Sequence, residues 1–242
     1  MRWRRWGRAV SRFMGAAMDH KLQVPVWDIP TRLFHWSVVL LLCISWLSAD
    51  QGYMRIHLVS GLTLLALLLF RIAWGLVGST TSRFSSFLHP PRRVAAYLKS
   101  LAGGERIFHA GHNPAGGLMV LALIAVLLAQ VATGMFANDG VQFHGPLALL
   151  VSEDVSTRLT NIHGLIFDLI LILVWCHVVA VGFYLLVRGD NLVWPMITGK
   201  KSRAQLPAEL NIVFTRLYIA LLLLAVSAGI AAWIMIQGES IL

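Results

Sequence analysis

Residues 160–187 have the sequence TNIHGLIFDLILILVWCHVVAVGFYLLV, an apolar run that contains His163, Asp168 and His177. As a helix this run is about 42 Å long, which exceeds the roughly 30 Å hydrocarbon core of a bilayer. Only a helix satisfies the backbone hydrogen bonds of such a run in lipid. The two histidines are 14 residues apart, which corresponds to about 21 Å and nearly four turns. Their rings are therefore predicted to lie on nearly the same face at opposite membrane depths.

The composition of the whole chain agrees with a membrane protein. Of its 242 residues, 57% are hydrophobic and 13% are charged, and the mean hydropathy is +0.72. Soluble domains are about 45–50% apolar and 25% charged, so a soluble enzyme and a disordered chain are both excluded. Two cysteines exclude a disulfide scaffold. The net charge of +9 is interpreted as a topology signal, and no nucleic-acid partner is predicted.

Five apolar runs are long enough to span a bilayer. They lie near residues 33–50, 54–77, 117–137, 160–187 and 213–236. The predicted fold is all-α and transmembrane, a four-helix bundle with one additional C-terminal helix. We expect three parts: a basic extension over 1–23, the four-helix domain over 24–203, and the fifth helix with a short tail over 204–242.

The basic residues are distributed unevenly between the two predicted sides of the membrane. Eighteen of the 20 Lys and Arg residues belong to one predicted side: they lie in the N-terminal segment, between runs two and three, between runs four and five, or, for Arg71 and Arg216, in the adjoining ends of runs two and five. Only Arg55 and Arg158 lie in the other two connections. The positive-inside rule then predicts a cytoplasmic N-terminus and an outer C-terminus. This asymmetry indicates a multi-pass protein of the bacterial inner membrane, in contact with lipid.

Two segments outside these runs are predicted to form amphipathic helices. In the N-terminal extension, apolar residues recur at helical spacing opposite the arginines, at Trp3, Trp6, Val10, Phe13 and Ala17. This pattern favours a helix on the inner leaflet, and a disordered basic tail is the alternative. After Pro90 and Pro91, the spacing of Val94, Tyr97 and Leu101 predicts a short interfacial helix.

Four histidines lie in or at the edge of apolar runs: His35, His57, His163 and His177. Ionisable residues in such positions are uncommon and indicate function. Because the first run starts inside and the second starts outside, depth pairs His35 with His177 and His57 with His163. Four further histidines lie in predicted loops and are expected to be solvated: His20, His89, His109 and His144.

Two facing imidazoles in a dry bundle suit the axial ligation of haem. This ligation leaves no open iron position, so it favours electron transfer over oxygen binding. Each depth offers two histidines without a cysteine or carboxylate cluster, which fits a zinc site less well. Cys176 precedes His177 without the second cysteine of a C-x-x-C-H motif. The prediction is two non-covalent haem b groups, an inner one at His35/His177 and an outer one at His57/His163.

Haem propionates need cationic partners or hydrogen-bond donors. Arg32 and Arg71 lie at the depth of the inner haem, and Arg71 either binds a propionate or snorkels to the inner headgroups. Arg55 and Arg158 flank the outer pair. His112 lies in the motif GHNPAGG, where it lines a quinone or proton site or belongs to a helix-capping turn.

Several motifs between residues 24 and 203 complete the pattern. They are Val26-Trp27-Asp28 with PTRLFHW at 30–36; His57; Phe70-Arg71 with Trp74-Gly75 and Gly78; Gly111-His112-Asn113-Pro114 with Gly116; the His163/His177 pair; and Asn191-Leu192-Val193 with PMITGK at 195–200. Together these motifs resemble the bacterial cytochrome b561 and Ni,Fe-hydrogenase b-type cytochrome-subunit family.

The resemblance implies two b haems in a four-helix bundle that passes electrons between a membrane quinone and a partner in a respiratory chain. The partner is a periplasmic hydrogenase, another dehydrogenase or a cytochrome c. One alternative is a stand-alone enzyme that oxidises superoxide at the outer haem and reduces quinone. Another is a non-redox transporter or channel that uses the histidines and Asp168, and a third is a simple membrane anchor. A homo-oligomer is compatible with all of them. The fifth helix and the basic extension depart from the four-helix form of the family.

Overall fold

The computed structural model describes residues 22–105, 107–141 and 143–241. Five long helices are α1 (Ile29–Asp50), α2 (Met54–Val77), α5 (Pro114–Met135), α6 (Glu153–Leu186) and α8 (Leu217–Ile241). Three short helices are α3 (Phe84–Phe87), α4 (Pro91–Ala102) and α7 (Val193–Thr198), and strands β1 (Gln23–Pro25) and β2 (Lys200–Ser202) pair antiparallel. The predicted extension over 1–23 lies outside the described residues except for its last two positions.

The five long helices are each long and apolar enough to cross a membrane. The prediction of an all-α transmembrane fold with five spans is therefore confirmed. The fourth span differs in its start, because α6 begins at Glu153 and is 34 residues long. Glu153 and Asp154 lie in its first turn, where carboxylates interact favourably with the helix dipole and extend the helix beyond the apolar run.

Side-chain caps determine where two of the spans begin. Asp28 precedes α1, and its Oδ1 accepts a hydrogen bond from the Thr31 amide at 2.7 Å. Asn113 precedes α5 in the same way, and its Oδ1 accepts from the Gly116 amide at 2.8 Å. Each cap satisfies a backbone donor that lacks an intrahelical partner. The helix-capping turn proposed for the GHNPAGG motif is therefore present.

Helix α2 lies at the centre of the described structure. It packs against α1, α5 and α8, whereas α6 packs along α5 and makes only sparse backbone contact with α1 and α2. The buried core of the four-helix bundle contains Leu62, Leu64, Leu65, Leu68, Leu127, Val131 and Ile170. Ile170 lies midway between His163 and His177, so the apolar core separates the two histidine levels. Helix α8 contacts the other side of α2, where Ala220 packs on Phe70 and Trp74.

A buried hydrogen-bond cluster closes the bundle at the His35 end. Asp28 is at its centre. Its Oδ2 accepts hydrogen bonds from Trp74 Nε1 at 3.1 Å and from Ser82 Oγ at 3.0 Å. The cluster joins the start of α1 to the end of α2 and to the following loop. Buried polar groups contribute to stability only when they are paired in this way.

Helix α4 docks on the protein through its apolar face. Val94 and Tyr97 are buried, and the Tyr97 and Tyr184 hydroxyls form a hydrogen bond of 2.6 Å. Burial is the main cause that raises the pKa of Tyr97. The prediction that His109 is solvated is wrong, because its ring packs edge-on against Tyr97 at 5.5 Å between centroids. Burial accordingly lowers the pKa of His109.

We predict that Asp28→Ala destabilises the fold by about 2–4 kcal/mol, because it removes a helix cap and leaves two buried donors without an acceptor. Denaturant titration in detergent, followed by far-UV circular dichroism, measures the change. Asp50→Ala is the matched control, since Asp50 is exposed at the other end of α1 and should change stability by about 0.5 kcal/mol or less. Equal stability of the two variants would contradict the role assigned to Asp28.

Candidate functional site

The structure brings the four intramembrane histidines together as two facing pairs. His35 on α1 faces His177 on α6, with ring centroids 6.4 Å apart and ring planes at 55°. His57 on α2 faces His163 on α6, with centroids 6.0 Å apart and planes at 87°. These are the two pairs expected from depth, and α6 contributes one histidine to each.

The ring separations match those of two imidazoles that bind one metal ion between them. Metal–imidazole bonds are about 2 Å long, so the two ligating nitrogens lie about 4 Å apart. Each nitrogen is about 1 Å from the centroid of its ring, which gives an expected centroid separation of about 6 Å. Both observed separations agree with this value. The donor set of each pair therefore fits the axial positions of a haem iron.

Backbone carbonyls orient both imidazoles of the His57/His163 pair. His57 Nδ1 lies 2.8 Å from the Ser45 carbonyl oxygen on α1, and His163 Nδ1 lies 2.9 Å from the Gln130 carbonyl oxygen on α5. A carbonyl can only accept, so each ring donates its Nδ1–H, and its unprotonated Nε2 carries the lone pair. Metal-binding histidines usually donate their other ring nitrogen in this manner.

Two residues of α5 lie directly against His163. A Cβ atom at Gly134 would lie 2.7 Å from His163 Cε1, so only glycine leaves room for the ring. The Gln130 side chain places its Nε2 3.2 Å from His163 Nε2, and its buried Oε1 has no hydrogen-bond partner. Sequence analysis missed both residues, although Gln130 is a polar residue within an apolar run, as the histidines are.

The His35/His177 pair lies at the end of the bundle where buried donors without partners collect. Among the described residues, these atoms are Arg32 Nε, His35 Nδ1, Arg71 Nη1 and Nη2, and His112 Nδ1. Unpaired buried nitrogen atoms of this kind are costly. Two carboxylates would accept hydrogen bonds from several of these nitrogen atoms, and a haem carries two such carboxylates as its propionates. The observation fits a haem at this pair.

Arg71 is the most deeply buried of these cations, with 2% of its surface exposed. Its guanidinium carbon lies 5.1 Å from the ring centroid of Phe84 and 6.0 Å from those of Phe34 and Phe87. The snorkelling alternative is therefore wrong. Sequence analysis missed Phe84 and Phe87 of α3. The available signal was their spacing of three residues, which places two aromatic rings on one side of a helical turn.

Two glycines allow these phenylalanine rings to reach Arg71. A Cβ atom at Gly75 of α2 would clash with the Phe84 ring, and one at Gly117 of α5 would lie 2.5 Å from the Phe87 carbonyl oxygen. Helix α3 therefore depends on close approach to the backbones of α2 and α5. Gly75 and Gly117 position α3 and, through it, the aromatic surroundings of the cation.

The remaining predicted site residues occupy different environments. Arg32 Nη1 donates to the Ile197 carbonyl at 2.7 Å, so part of this side chain already binds α7. Arg55 and Arg158 are exposed at the His57/His163 end. His112 lies between two aromatic rings, 4.6 Å from Phe87 and 4.8 Å from Trp27.

The electrostatic surroundings keep His112 neutral. Burial, followed by the positive charge of Arg71, lowers the pKa of His112 to about 3. Asp168, in contrast, is exposed on α6. Within residues 22–105, 107–141 and 143–241, no three His, Cys, Asp or Glu side chains converge, so the histidine pairs do not form part of larger ligand clusters.

We predict that Gly134→Ala lowers the haem content by about one haem per chain, because the added Cβ would displace the His163 ring. The measurement is the ratio of haem to protein in the purified chain. Gly229→Ala on α8 is the matched control, since nothing lies within 4 Å of a Cβ at that position. A Gly134→Ala chain with the full haem content would show that the ring position tolerates the methyl group.

Comparison with known proteins agrees with this geometry. A family model described as prokaryotic cytochrome b561 matches residues 26–199, a range that includes all four histidines and the cap at the His35 end. A search of the curated proteins finds no match to the chain. Because the family model covers more than two thirds of the sequence, the chain belongs to the prokaryotic cytochrome b561 family, whose members are membrane b-type cytochromes that bind haem and transfer electrons.

Proposed function

We propose that this membrane cytochrome uses two haem b groups to transfer electrons between a membrane quinone and a periplasmic redox partner, namely a hydrogenase, another dehydrogenase or a cytochrome c. The principal support is the pair of histidine sites at the two ends of α6, at 6.4 and 6.0 Å between ring centroids. The sites lie about 21 Å apart along the helix. Two redox centres at these depths carry an electron across most of the bilayer.

Each haem, when bound, supplies a one-electron oxidation and reduction at its iron. His35 and His177 would hold the inner haem, and His57 and His163 would hold the outer one. Two imidazole donors at each level favour electron transfer over oxygen binding. The apolar core around Ile170 excludes water from the region between the two histidine pairs. This lowers the solvent reorganisation that accompanies electron transfer.

Cationic side chains hold the propionates of each haem. At the inner haem, Arg71 supplies the two unpartnered guanidinium nitrogens and Arg32 supplies its Nε. At the outer haem, the exposed Arg55 and Arg158 serve the same purpose from the surface. The inner pair of cations is buried or partly buried, so its hydrogen bonds to carboxylates are shielded from water and are the stronger ones.

The quinone binds near His112, beside the inner haem. Trp27 and Phe87 flank the His112 ring, and such aromatic faces suit a planar ring. The imidazole is neutral, so it presents one donor and one acceptor to a quinone carbonyl or a quinol hydroxyl. The support for this site is the set of contacts around His112.

The proposed placement is the bacterial inner membrane with the N-terminus in the cytoplasm. Its support is the charge distribution, with 18 of 20 basic residues on one predicted side. Residues 24–203 form the electron-transfer domain in this proposal. Residues 1–23 are a basic extension on the cytoplasmic side. Residues 204–242 add α8, which packs along α2 beside the four-helix bundle. The lipid-facing surface also leaves room for a homo-oligomer.

A second candidate is a superoxide:quinone oxidoreductase that needs no partner subunit. The observation that favours it is the exposure of Arg55 and Arg158 beside the His57/His163 pair, since exposed cations attract a small anion. The transporter and simple-anchor hypotheses are not retained, because membership of a b-type cytochrome family indicates electron transfer.

We predict two low-spin b-type haems per chain in a reduced-minus-oxidised absorption spectrum of the purified protein. His177→Ala should lose the inner haem and retain the outer one, because it removes one ligand of the His35 pair only. The haem-to-protein ratio should fall from about two to about one. His144→Ala is the control, since His144 is exposed in a loop.

Three outcomes of this experiment would each contradict a part of the proposal. One haem in the unchanged chain would show that one histidine pair does not bind haem. Two haems in the His177→Ala chain would contradict the assigned pairing. No haem in folded protein that was expressed with a haem supply would contradict the proposed function as a whole.

A further inference from the structure

The two histidine pairs have different surroundings, and the difference bears on the direction of electron transfer. We propose that the haem at His35/His177 has the higher reduction potential and that Arg71 is the residue that raises it. This inference rests on the proposed function, in which each pair holds one haem. Electrons then pass from the His57/His163 end towards the Arg71 end.

Hydrogen bonding lowers the potential at the His57/His163 pair. Both imidazoles donate Nδ1–H to backbone carbonyls, at 2.8 and 2.9 Å. Such donation makes the ligand more basic, and a more basic ligand stabilises ferric iron. His35 lacks this effect, since its buried Nδ1 has no hydrogen-bond partner.

Charge raises the potential at the other pair. Arg71 is buried, and its two terminal nitrogens are placed to bind a propionate, whose negative charge would otherwise stabilise ferric iron. Asp28 attracts Arg71 electrostatically without forming a hydrogen bond to it. The Asp28 oxygens instead accept from Thr31 N, Trp74 Nε1 and Ser82 Oγ. A buried guanidinium that offsets the negative charge of a propionate makes ferric iron less favourable, so ferrous iron is favoured there.

The cations at the opposite end act less strongly. Arg55 and Arg158 are exposed, so water and dissolved ions screen their charge. Hydrogen bonding and charge thus separate the two potentials in the same direction. With a haem held at each pair, one electron would pass from the His57/His163 site, which would be oxidised, to the His35/His177 site, which would be reduced. No covalent bond would form or break, and no proton would be transferred.

Potentiometric titration of the full chain in detergent, followed at the haem α band, tests this proposal. We expect two one-electron midpoints in the unchanged protein. Arg71→Met should lower the higher midpoint potential by at least about 59 mV. For one electron, this shift is a tenfold change in the ratio of reduced to oxidised haem at a given potential. It should leave the lower midpoint in place. Arg71→Lys retains the charge and should keep most of the separation.

Arg92→Met is the matched control, because Arg92 is exposed on α4 and should change neither midpoint. If Arg71→Met does not retain both haems, His163→Ala provides an independent measurement. Its remaining haem should titrate at the higher midpoint of the unchanged protein, and a titration at the lower midpoint would overturn the proposal.

The result also distinguishes this inference from the function on which it rests. Fewer than two haems in the unchanged chain would contradict the proposed function. Two haems that share one midpoint would overturn only the inference about Arg71. A fall in the lower midpoint of the Arg71→Met chain would do the same.

Discussion

The seven-residue spacing along α6 is the constraint on which the rest of the structure depends. His163, Ile170, His177 and Tyr184 follow one another at this interval, which is close to two helical turns and keeps them on one stripe. The two histidines face α2 and α1, Ile170 enters the core, and Tyr184 binds α4 through its hydroxyl. One helix face therefore sets two sites, the apolar layer between them, and the docking of a surface helix.

The same periodicity explains how much could be predicted from the sequence. Run length and charge distribution identify the five spans, and the 14-residue spacing with the alternating direction of the helices predicts which histidines face each other. These inferences succeed because run length, spacing within a helix and the alternating direction of successive spans all follow from the order of residues along the chain. The start of α6 at Glu153 was not predicted, because its first two turns are polar and extend beyond the apolar run.

The surroundings of the sites depend on contacts between distant parts of the chain, which single-sequence patterns do not reveal. Phe84 and Phe87 lie on the short helix α3, and they reach Arg71 only because Gly75 and Gly117 permit close backbone approach. Gln130 lies on a different helix from the imidazole that it contacts. A polar residue in an apolar run signals a function, but the run does not show which partner the residue meets.

The energetics of Arg71 support a carboxylate partner at this end of the bundle. A desolvated cation–π contact contributes about 2 kcal/mol, and the three ring centroids lie 5.1–6.0 Å from the guanidinium carbon. Removal of an ion from water costs several kcal/mol even after relaxation, and the two terminal nitrogens also lose their hydrogen bonds. The aromatic rings offset part of this cost but supply no acceptor. A haem propionate supplies both the opposite charge and the acceptor atoms, so the burial of Arg71 and the binding of haem at His35/His177 stabilise each other.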